Sequence, residues 1–516
     1  MRIRVGLFLC LFVALTSASS WLVRLDLQPG RSATDVSRAG VPVLFVGSGY
    51  CLCQADNGVL QQLRQAGFGV TVLDTEPESK SYVYVMTAAG FDRKALEPFG
   101  AILTEDELGV LLRTTEDAVL GLNTLPVELC GIGMEPVVLR NDRRVPEPMP
   151  VLDSLIRELV SRVSAETSEQ TLVRLRQFRT RYSTTDSCRR AIAWVRSRFA
   201  DYGCDSTWLD TFRSNYAPNV IGMKLGRMNP RQLYVICGHV DCTSESPNTL
   251  APGSDDNASG ANAVLEACRV FQGIEFERTV LFIGFSGEEQ GLVGSDSFVR
   301  RSRDRGDSIA LAINFDMVSY GLVDSLLIVY TSMLPQTEQF AEFFVAQADT
   351  FTDLKCRKYL LNDPASDHYS FWKYGYLAIR GRYRDRTPMY HTTGDTIGPF
   401  HYVNCGTNNM PLHVELIRAL VATVAKLAGA HVPVGIEEGY KPQATRYKSG
   451  PSIVRGVLRM VGGRQNTGYR AELLDIAGRK IMELRIGPND VSGLSPGVYF
   501  VRGRQAQAVR KVVVTR

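Results

Sequence analysis

The sequence predicts an α/β protein: a mostly parallel mixed sheet flanked by helices, with a small α/β accessory region ahead of it and a β-sandwich-like domain behind. Two observations predict the sheet. From Gln232 onward, apolar runs alternate with stretches of helical periodicity, the order that covers a parallel sheet on both faces. Motifs rich in acids and histidine fall at the ends of those runs, where ligands bind in open α/β sheets. A third observation sets the C-terminal boundary, because after residue 453 short strands alternate with glycine turns such as Ser495-Pro-Gly497.

At 516 residues the chain exceeds one typical domain. Its 45% hydrophobic and 22% charged content is that of a globular protein, and a net charge of +4 gives no reason to expect a nucleic-acid or membrane partner. Arg2 and Arg4 precede an apolar run at 5–15 and small residues at 16–20, so residues 1–19 read as a signal peptide and the mature protein as secreted or held at the cell surface. No stretch is long enough to span a bilayer. Eleven cysteines are present, and one, Cys10, leaves with the signal. The spacing of the rest fixes no pairs, and Cys237 and Cys268 fall in apolar patterns that suit buried thiols.

Residues 20–145 read as an accessory or pro-region carrying a weak β-α-β repeat. A strand at 41–46, a helix at 58–66 and a strand at 69–73 are echoed at 108–113, 115–122 and 126–132. Strands at 82–87 and 101–104 and a short helix at 93–99 lie between them. The proline-rich stretch 143–153 reads as a linker. The catalytic region spans 150–432. Helices are expected at 168–181, 185–202, 261–272, 291–301, 336–350 and 411–427, and strands at 233–237, 279–285, 309–315 and 376–379. Residues 433–452 form a second linker, and 453–516 a β domain with strands at 469–474, 481–484, 498–502 and 509–515.

The chemistry is concentrated at Glu288 and Glu289. Adjacent carboxylates at the end of a buried strand repel, so a fold gains nothing from them unless a cation binds. Neighbouring residues there point in different directions, so one can hold a metal while the other faces substrate. Gly238-His-Val-Asp241, Gly253-Ser-Asp-Asp-Asn-Ala-Ser-Gly260, Asn314-Phe-Asp316 and Tyr390-His391 supply further donors. His239 suits zinc, and Asp241, two residues on, can hold its second ring nitrogen. A carboxylate in the loop before the helix at 261 can bridge two cations, and spacing alone does not separate Asp255 from Asp256 for that role.

In order, these motifs read Gly-His-x-Asp, Asp-x-x-Ser-Gly, Gly-Glu-Glu-x-Gly-Leu-x-Gly-Ser, Asn-x-Asp-Met, Ser-Asp-His and Tyr-His-Thr-x-x-Asp-Thr. Over residues 155–430 the chain resembles the secreted co-catalytic dizinc aminopeptidases, relatives of leucyl aminopeptidase and glutamate carboxypeptidase. The resemblance implies two Zn²⁺ ions bridged by Asp256, with Asp255 beside it. His239 and Asp316 would complete one zinc site, Glu289 and His391 the other. Glu288 would be the general base that takes a proton from a metal-bridging water, leaving the attacking hydroxide, and passes it to the leaving amine. Tyr390 would be the steadying group for the oxyanion. Asp367 would lie near the site, with His368 a structural neighbour.

The resemblance implies removal of N-terminal residues from peptides. A carboxypeptidase, a single-zinc glutaminyl cyclase and a non-catalytic binding protein on the same fold are its alternatives. Arg382 and Arg384, in the arginine-rich stretch before Tyr390, are weak candidates for contacting an acidic substrate. The C-terminal domain resembles Por-type secretion-sorting domains through Gly-Val-Tyr-Phe-Val and the closing Lys-Val-Val-Val-Thr-Arg, which implies a secretion-machinery partner.

Overall fold

The computed structural model describes residues 20–515 apart from 89, 140–144, 322–325, 385, 398–408, 434–451, 456, 461–469, 476–478, 486, 496 and 504–508. The signal segment and nearly all of the second linker lie outside the described residues. Two compact units divide at His431/Val432.

The first unit opens with two copies of one β-α-β-β-α-β unit. The first copy comprises β1 (Trp21–Asp26), α1 (Ala33–Arg38), β2 (Val43–Val46), β3 (Tyr50–Ala55), α2 (Asn57–Gln65) and β4 (Gly69–Asp74). The second has β5 (Ser81–Met86), a 3₁₀ turn at Arg93–Phe99, β6 (Ala101–Glu105), β7 (Gly109–Thr114), α3 (Glu116–Leu122) and β8 (Glu128–Ile132). The sheets are antiparallel with equivalent orders, β2-β3-β1-β4 and β6-β7-β5-β8. Local signals start the helices: Ser32 forms a capping box with Asp35, and Asp56 and Thr115 cap α2 and α3. The repeat is therefore longer than the sequence pattern suggests, and the counterpart of β7 is β3, not residues 41–46. Two apolar runs flank the turn at 47–49, and periodicity alone does not say which is the central strand.

The larger part of the first unit starts with α4 (Asp153–Ser161), α5 (Ala165–Arg176) and α6 (Asp186–Asp201). Then come β9 (Ser206–Asp210), β10 (Asn219–Lys224), β11 (Gly226–His239), α7 (Gly260–Val270), β12 (Glu275–Phe285), α8 (Val293–Arg305) and β13 (Ser308–Phe315). The rest is β14 (Leu326–Tyr330), α9 (Thr337–Phe351), β15 (Cys356–Leu360), α10 (His368–Lys373), β16 (Ala378–Tyr383), α11 (Met410–Ala428) and β17 (Ala430–His431). They form a nine-stranded sheet in the order β15-β14-β16-β13-β11-β12-β10-β9, with β17 on β12. Pairings from β16 through β13 and β11 to β12 are parallel, whereas β10 and β14 join antiparallel.

The parallel core reads as continuous apolar sequence because both faces are covered. β12 is buried throughout Arg278–Phe285, and α11, which packs on α4, α5, α7 and α9, is buried along most of its length. Strands β9, β10, β14 and β15 escaped the sequence reading. β9 and β15 are largely exposed and lack an apolar run, whereas β10 and β14 are buried and were missed despite theirs. Two glycines are forced by the approach of α7 to the sheet. A Cβ on Gly260 would lie 2.2 Å from the Phe315 carbonyl oxygen, and one on Gly238 would lie 2.9 Å from the same atom.

The second unit has a five-stranded and a two-stranded sheet. Leu458, Ala471, Leu473, Leu484, Val491 and Val501 form its small core. Among the described residues no helix is long and apolar enough to cross a membrane.

Candidate metal centre

The carboxyl ends of the parallel strands deliver the donors. β11 ends in His239, β12 runs into Glu288 and Glu289, β13 is followed by Asp316, and the loop beyond β16 carries Tyr390 and His391. Asp255 and Asp256 lie in the turn leading into α7. Because these strands run parallel, their carboxyl ends lie along one edge of the sheet, and side chains from separate parts of the chain meet there.

Asp256 stands between two groups. Its Oδ1 lies 3.4 Å from His239 Nε2 and its Oδ2 3.2 Å from His391 Nε2. Asp316 Oδ1 is 3.4 Å from His239 Nε2, and Glu289 Oε2 is 3.1 Å from His391 Nε2. Glu288 Oε2 faces His239 Nε2 at 3.8 Å. The donor atoms of His239, Asp256 and Asp316 all fall within 4.8 Å of one another, as do those of Asp256, Glu289 and His391. A third such group, His239, Glu288 and Glu289, overlaps both.

The surroundings hold these donors in place. His239 Nδ1 donates to the Asp241 main-chain carbonyl at 3.1 Å, which leaves Nε2 as the lone-pair nitrogen. The sequence reading gave that contact to the Asp241 carboxylate. Its Oδ1 stands 3.6 Å away, and its Oδ2 instead accepts from the Ser183 hydroxyl at 2.7 Å. Asp255 turns away from the donors and accepts from the Ser319 amide, the Ser319 hydroxyl and the Tyr320 amide, at 2.9, 2.9 and 3.0 Å. Geometry thus separates the two aspartates that spacing could not.

Asp395 carries the turn. Its two oxygens accept from the Asp255 and Asp256 amides, each at 3.0 Å. Its signal was the acid in Tyr-His-Thr-x-x-Asp-Thr, to which the sequence reading attached no role. Arg380 was missed as well. It is fully buried and donates to Asp316 Oδ2 at 2.8 Å. Of the arginine-rich stretch, Arg380 and Arg386 reach the centre, whereas neither Arg382 nor Arg384 lines the cavity over it. Arg382 bonds the Tyr383 carbonyl and Arg384 is exposed, which corrects the candidacy of both.

Asp367 is buried at the start of α10, and burial pushes its carboxyl up to about 7 although the charge of His239 opposes this. His368 sits 3.3 Å from Asp363 and edge-on to Trp372. Tyr390 stacks on the His391 ring at 3.7 Å, and its hydroxyl lines the cavity with no partner among the described residues. His391 has φ 54°, and Met317 and Leu292, beside Asp316 and the Glu-Glu pair, also have positive φ. Left-handed backbone at non-glycine residues costs on the order of 1–3 kcal/mol each and clusters at functional sites.

Electrostatics identify what this cluster needs. Burial raises Glu288 well above the usual carboxylate range and Glu289 to about 7, with repulsion from Asp316 and Glu289 adding at Glu288 and from Asp256 at Glu289. Burial opposes charging of His391, but Glu289 and Asp256 outweigh it and push the imidazole up to about 10. Both histidines are drawn toward the protonated form by carboxylates that outnumber the cations near them. A divalent cation satisfies the same field, and Glu289 Oε1 and His391 Nδ1 have no protein partner among the described residues. Nitrogen and carboxylate donors in this number fit zinc.

The fold is one that solved zinc-peptidase-like structures share. The LapA aminopeptidase of Legionella pneumophila matches with a TM-score of 0.52 at 18% identity, over 68% of this chain and 98% of that one. In sequence, residues 219–409 match the model of peptidase family M28. A probable leucine aminopeptidase of Arthroderma otae is 26% identical over 290 residues, 53% of this chain and 76% of that protein. A probable zinc metalloprotease of Pyrenophora teres is 27% identical over 40% of this chain and 53% of its own length. The matched region contains every donor of the centre.

Proposed function

We propose that this chain is an exported zinc-dependent aminopeptidase that removes N-terminal residues from peptides, with two zinc ions in its centre. One observation carries the reading: two groups of three donors share a single residue, Asp256, whose two oxygens face opposite ways. His239, Asp256 and Asp316 would hold one ion; Asp256, Glu289 and His391 the other. Bound zinc supplies Lewis acidity toward the scissile carbonyl and acidifies water from a pKa of about 15.7 toward 7. The likeness of residues 219–409 to peptidase family M28, and the leucine aminopeptidases among the relatives, support this substrate class over the others.

The protein's own groups divide the remaining work. Glu288 lines the cavity without being needed in either donor group, so it is free to take the proton of the attacking water and return it to the leaving amine. Burial raises its affinity for a proton, which suits a group that must hold one during the reaction. The Tyr390 hydroxyl, with no competing partner, can donate to the oxyanion that forms on the carbonyl oxygen. Asp395 and Arg380 keep Asp256 and Asp316 oriented. The export and sorting readings of the two chain ends belong to the same proposal.

The test is an assay of the purified chain on aminoacyl, C-terminal and N-terminal glutamine substrates, with metal counted in parallel. Two zinc ions and aminoacyl hydrolysis are expected. One zinc with cyclisation of the glutamine substrate, or zinc with no turnover whether the chain is intact or cut after its N-terminal repeats, would overturn the reading.

A further inference from the structure

The second N-terminal repeat comes down on the candidate centre. Glu128 and Leu129, at the start of β8, line the same cavity as Glu288, Glu289, Asp316 and Tyr390. That cavity measures only about 10 Å³. A space of ~10–15 Å³ on this measure holds one water, and no amino-acid residue fits.

Specific contacts hold the strand there. The Glu128 carboxylate pairs with Arg386, whose guanidinium lies 4.2 Å over the Tyr390 ring. Asn123, 1% exposed, donates its side-chain amide to the carbonyl oxygen of Glu289. The Asn123 carbonyl accepts from the Thr243 hydroxyl at 2.8 Å, and its side-chain oxygen accepts from Tyr182 at 3.1 Å. Gly131 donates its amide to the Gly291 carbonyl at 3.2 Å. The two backbones touch at glycine on both sides. A Cβ on Gly131 would stand 3.1 Å from the Gly291 oxygen, and one on Gly291 3.0 Å from the Gly131 nitrogen. This is the main-chain pairing an extended peptide makes with a site that reads backbone.

Two features suit the contact to release. One face of the second repeat has a core of its own, built on Val85, Leu96, Val110, Leu112 and Leu122. The other, through Tyr84, Leu111 and Cys130, packs into the core shared with the catalytic region, so the repeat can part along that face and keep its own core. Beside β8 the contact with the catalytic region leaves a 370 Å³ cavity, walled by Tyr82, Val119 and Ile132 on one side and Phe212, Tyr216 and Gln290 on the other. Permanent interfaces are packed like cores; this one is so packed around Tyr84, Leu111 and Cys130 and is open at that cavity.

We infer that the second repeat is a built-in inhibitor: residues 123–132 occupy the ground that a peptide substrate needs, and turnover begins only when they move off. The inference rests on the peptidase reading of the centre. The test inserts a site-specific protease sequence between the exposed Glu147 and Pro148 of the full chain. Aminoacyl hydrolysis and the rate of zinc transfer to a soluble chelator are measured before and after the cut. Uncut chain carrying Glu128→Lys with Gly131→Val, which repels Arg386 and crowds Gly291, is the second arm.

Apparent kcat/KM scales with the fraction of molecules that are open, so a closed resting state predicts a rise on the order of tenfold or more in both arms. Zinc transfer accelerates with it. Hydrolysis that falls or stays level, with zinc transfer unchanged, would overturn the inference and make the repeat a fixed wall of a working site. Faster zinc transfer without hydrolysis in any form would uphold the occlusion and reject the aminopeptidase reading instead.

Discussion

Four of the described histidines are buried, and their surroundings push them in opposite directions. His239 and His391 face several carboxylates each, and although burial disfavours charge, the carboxylates win and raise both imidazoles. His368 and His413 are as deeply buried, and there burial wins: His368 is lowered and His413 falls to about 4. The difference lies in how many uncommitted acids each ring meets. Asp363 beside His368 is shared with Arg380 and Arg382. His413 meets no acid; its Nδ1 donates to the Val318 carbonyl at 3.0 Å and its Nε2 accepts from Asn262 at 2.9 Å. Burial alone therefore does not mark a ligand. An excess of nearby negative charge with unfilled lone pairs does.

The comparison breaks most sharply at Glu288. Replacing it by Gln removes the proton acceptor and leaves the shape. We expect kcat/KM on an aminoacyl substrate to fall ~10²–10⁴-fold with zinc content unchanged. Metal analysis decides the meaning of the result, because Glu288 also stands in the third donor group with His239 and Glu289. Loss of an ion in the variant would make Glu288 a ligand and leave the base unassigned.

The other half of the comparison is a stability effect. His413 titrates near 6.5 when unfolded and about 4 when folded, so below pH 6.5 the unfolded chain takes up a proton that the folded one refuses. Its neutral form therefore supports the fold fully above pH 6.5, and that support is lost as pH falls through 4. The total is roughly 3 kcal/mol. Urea unfolding of metal-free wild type and His413→Gln at pH 7.5, 5.5 and 4 checks it. The variant should lose less stability on acidification. Parallel curves would show that His413 is not the titrating group.

Legibility followed the same physics. The parallel strands could be read because burial on both faces writes them as apolar runs, and His239, Glu288, Glu289 and Asp316 because they sit where such runs end. Asp256 and His391 lie in loops and were found through their motifs. Asp255 and Asp256 could not be told apart, since the choice depends on Ser319 and Tyr320, more than sixty residues away in the chain. Glu128 and Asn123 carried no signal at all. Their importance arises where a separate repeat meets the centre, and no local pattern records such a meeting. Arg380 looked like its neighbours Arg382 and Arg384, yet only Arg380 reaches Asp316; Arg382, on the same strand, stops near Asp363, and Arg384, past the strand's end, is exposed.

Asp395 sharpens the ligand side of the comparison. It touches no other donor, yet both its oxygens bind the amides of the turn that presents Asp256. Replacing it by Asn keeps one acceptor and turns the other into a donor facing an amide. Partners of this kind are typically worth about 10–100-fold in metal affinity. A chelator titration should show a loss in that range, with the variant regaining activity at high zinc. Activity that stays low at saturating zinc would mean that Asp395 acts on the reaction and not through the metal.

The smallest effect belongs to the arginines that face away. Arg382 is committed to the Tyr383 carbonyl and to the neighbourhood of Asp363 at 3.9 Å, while Arg384 is exposed. Neither lines the cavity above the donors. Arg384 can act on the centre only through a screened field, which falls off over about 8 Å at physiological salt, and Arg382 is already committed within the fold. The double variant Arg382→Ala, Arg384→Ala should therefore change the ratio of kcat/KM for acidic over neutral N-terminal residues by less than about twofold, within the ±0.5 kcal/mol scatter of surface substitutions. Arg386, which stands over Tyr390 and is engaged by Glu128, provides the contrast. If the double variant alone shifted the acidic preference tenfold, the substrate path would have to run along the outer face of the loop, and the cavity over Asp256 would not be its end.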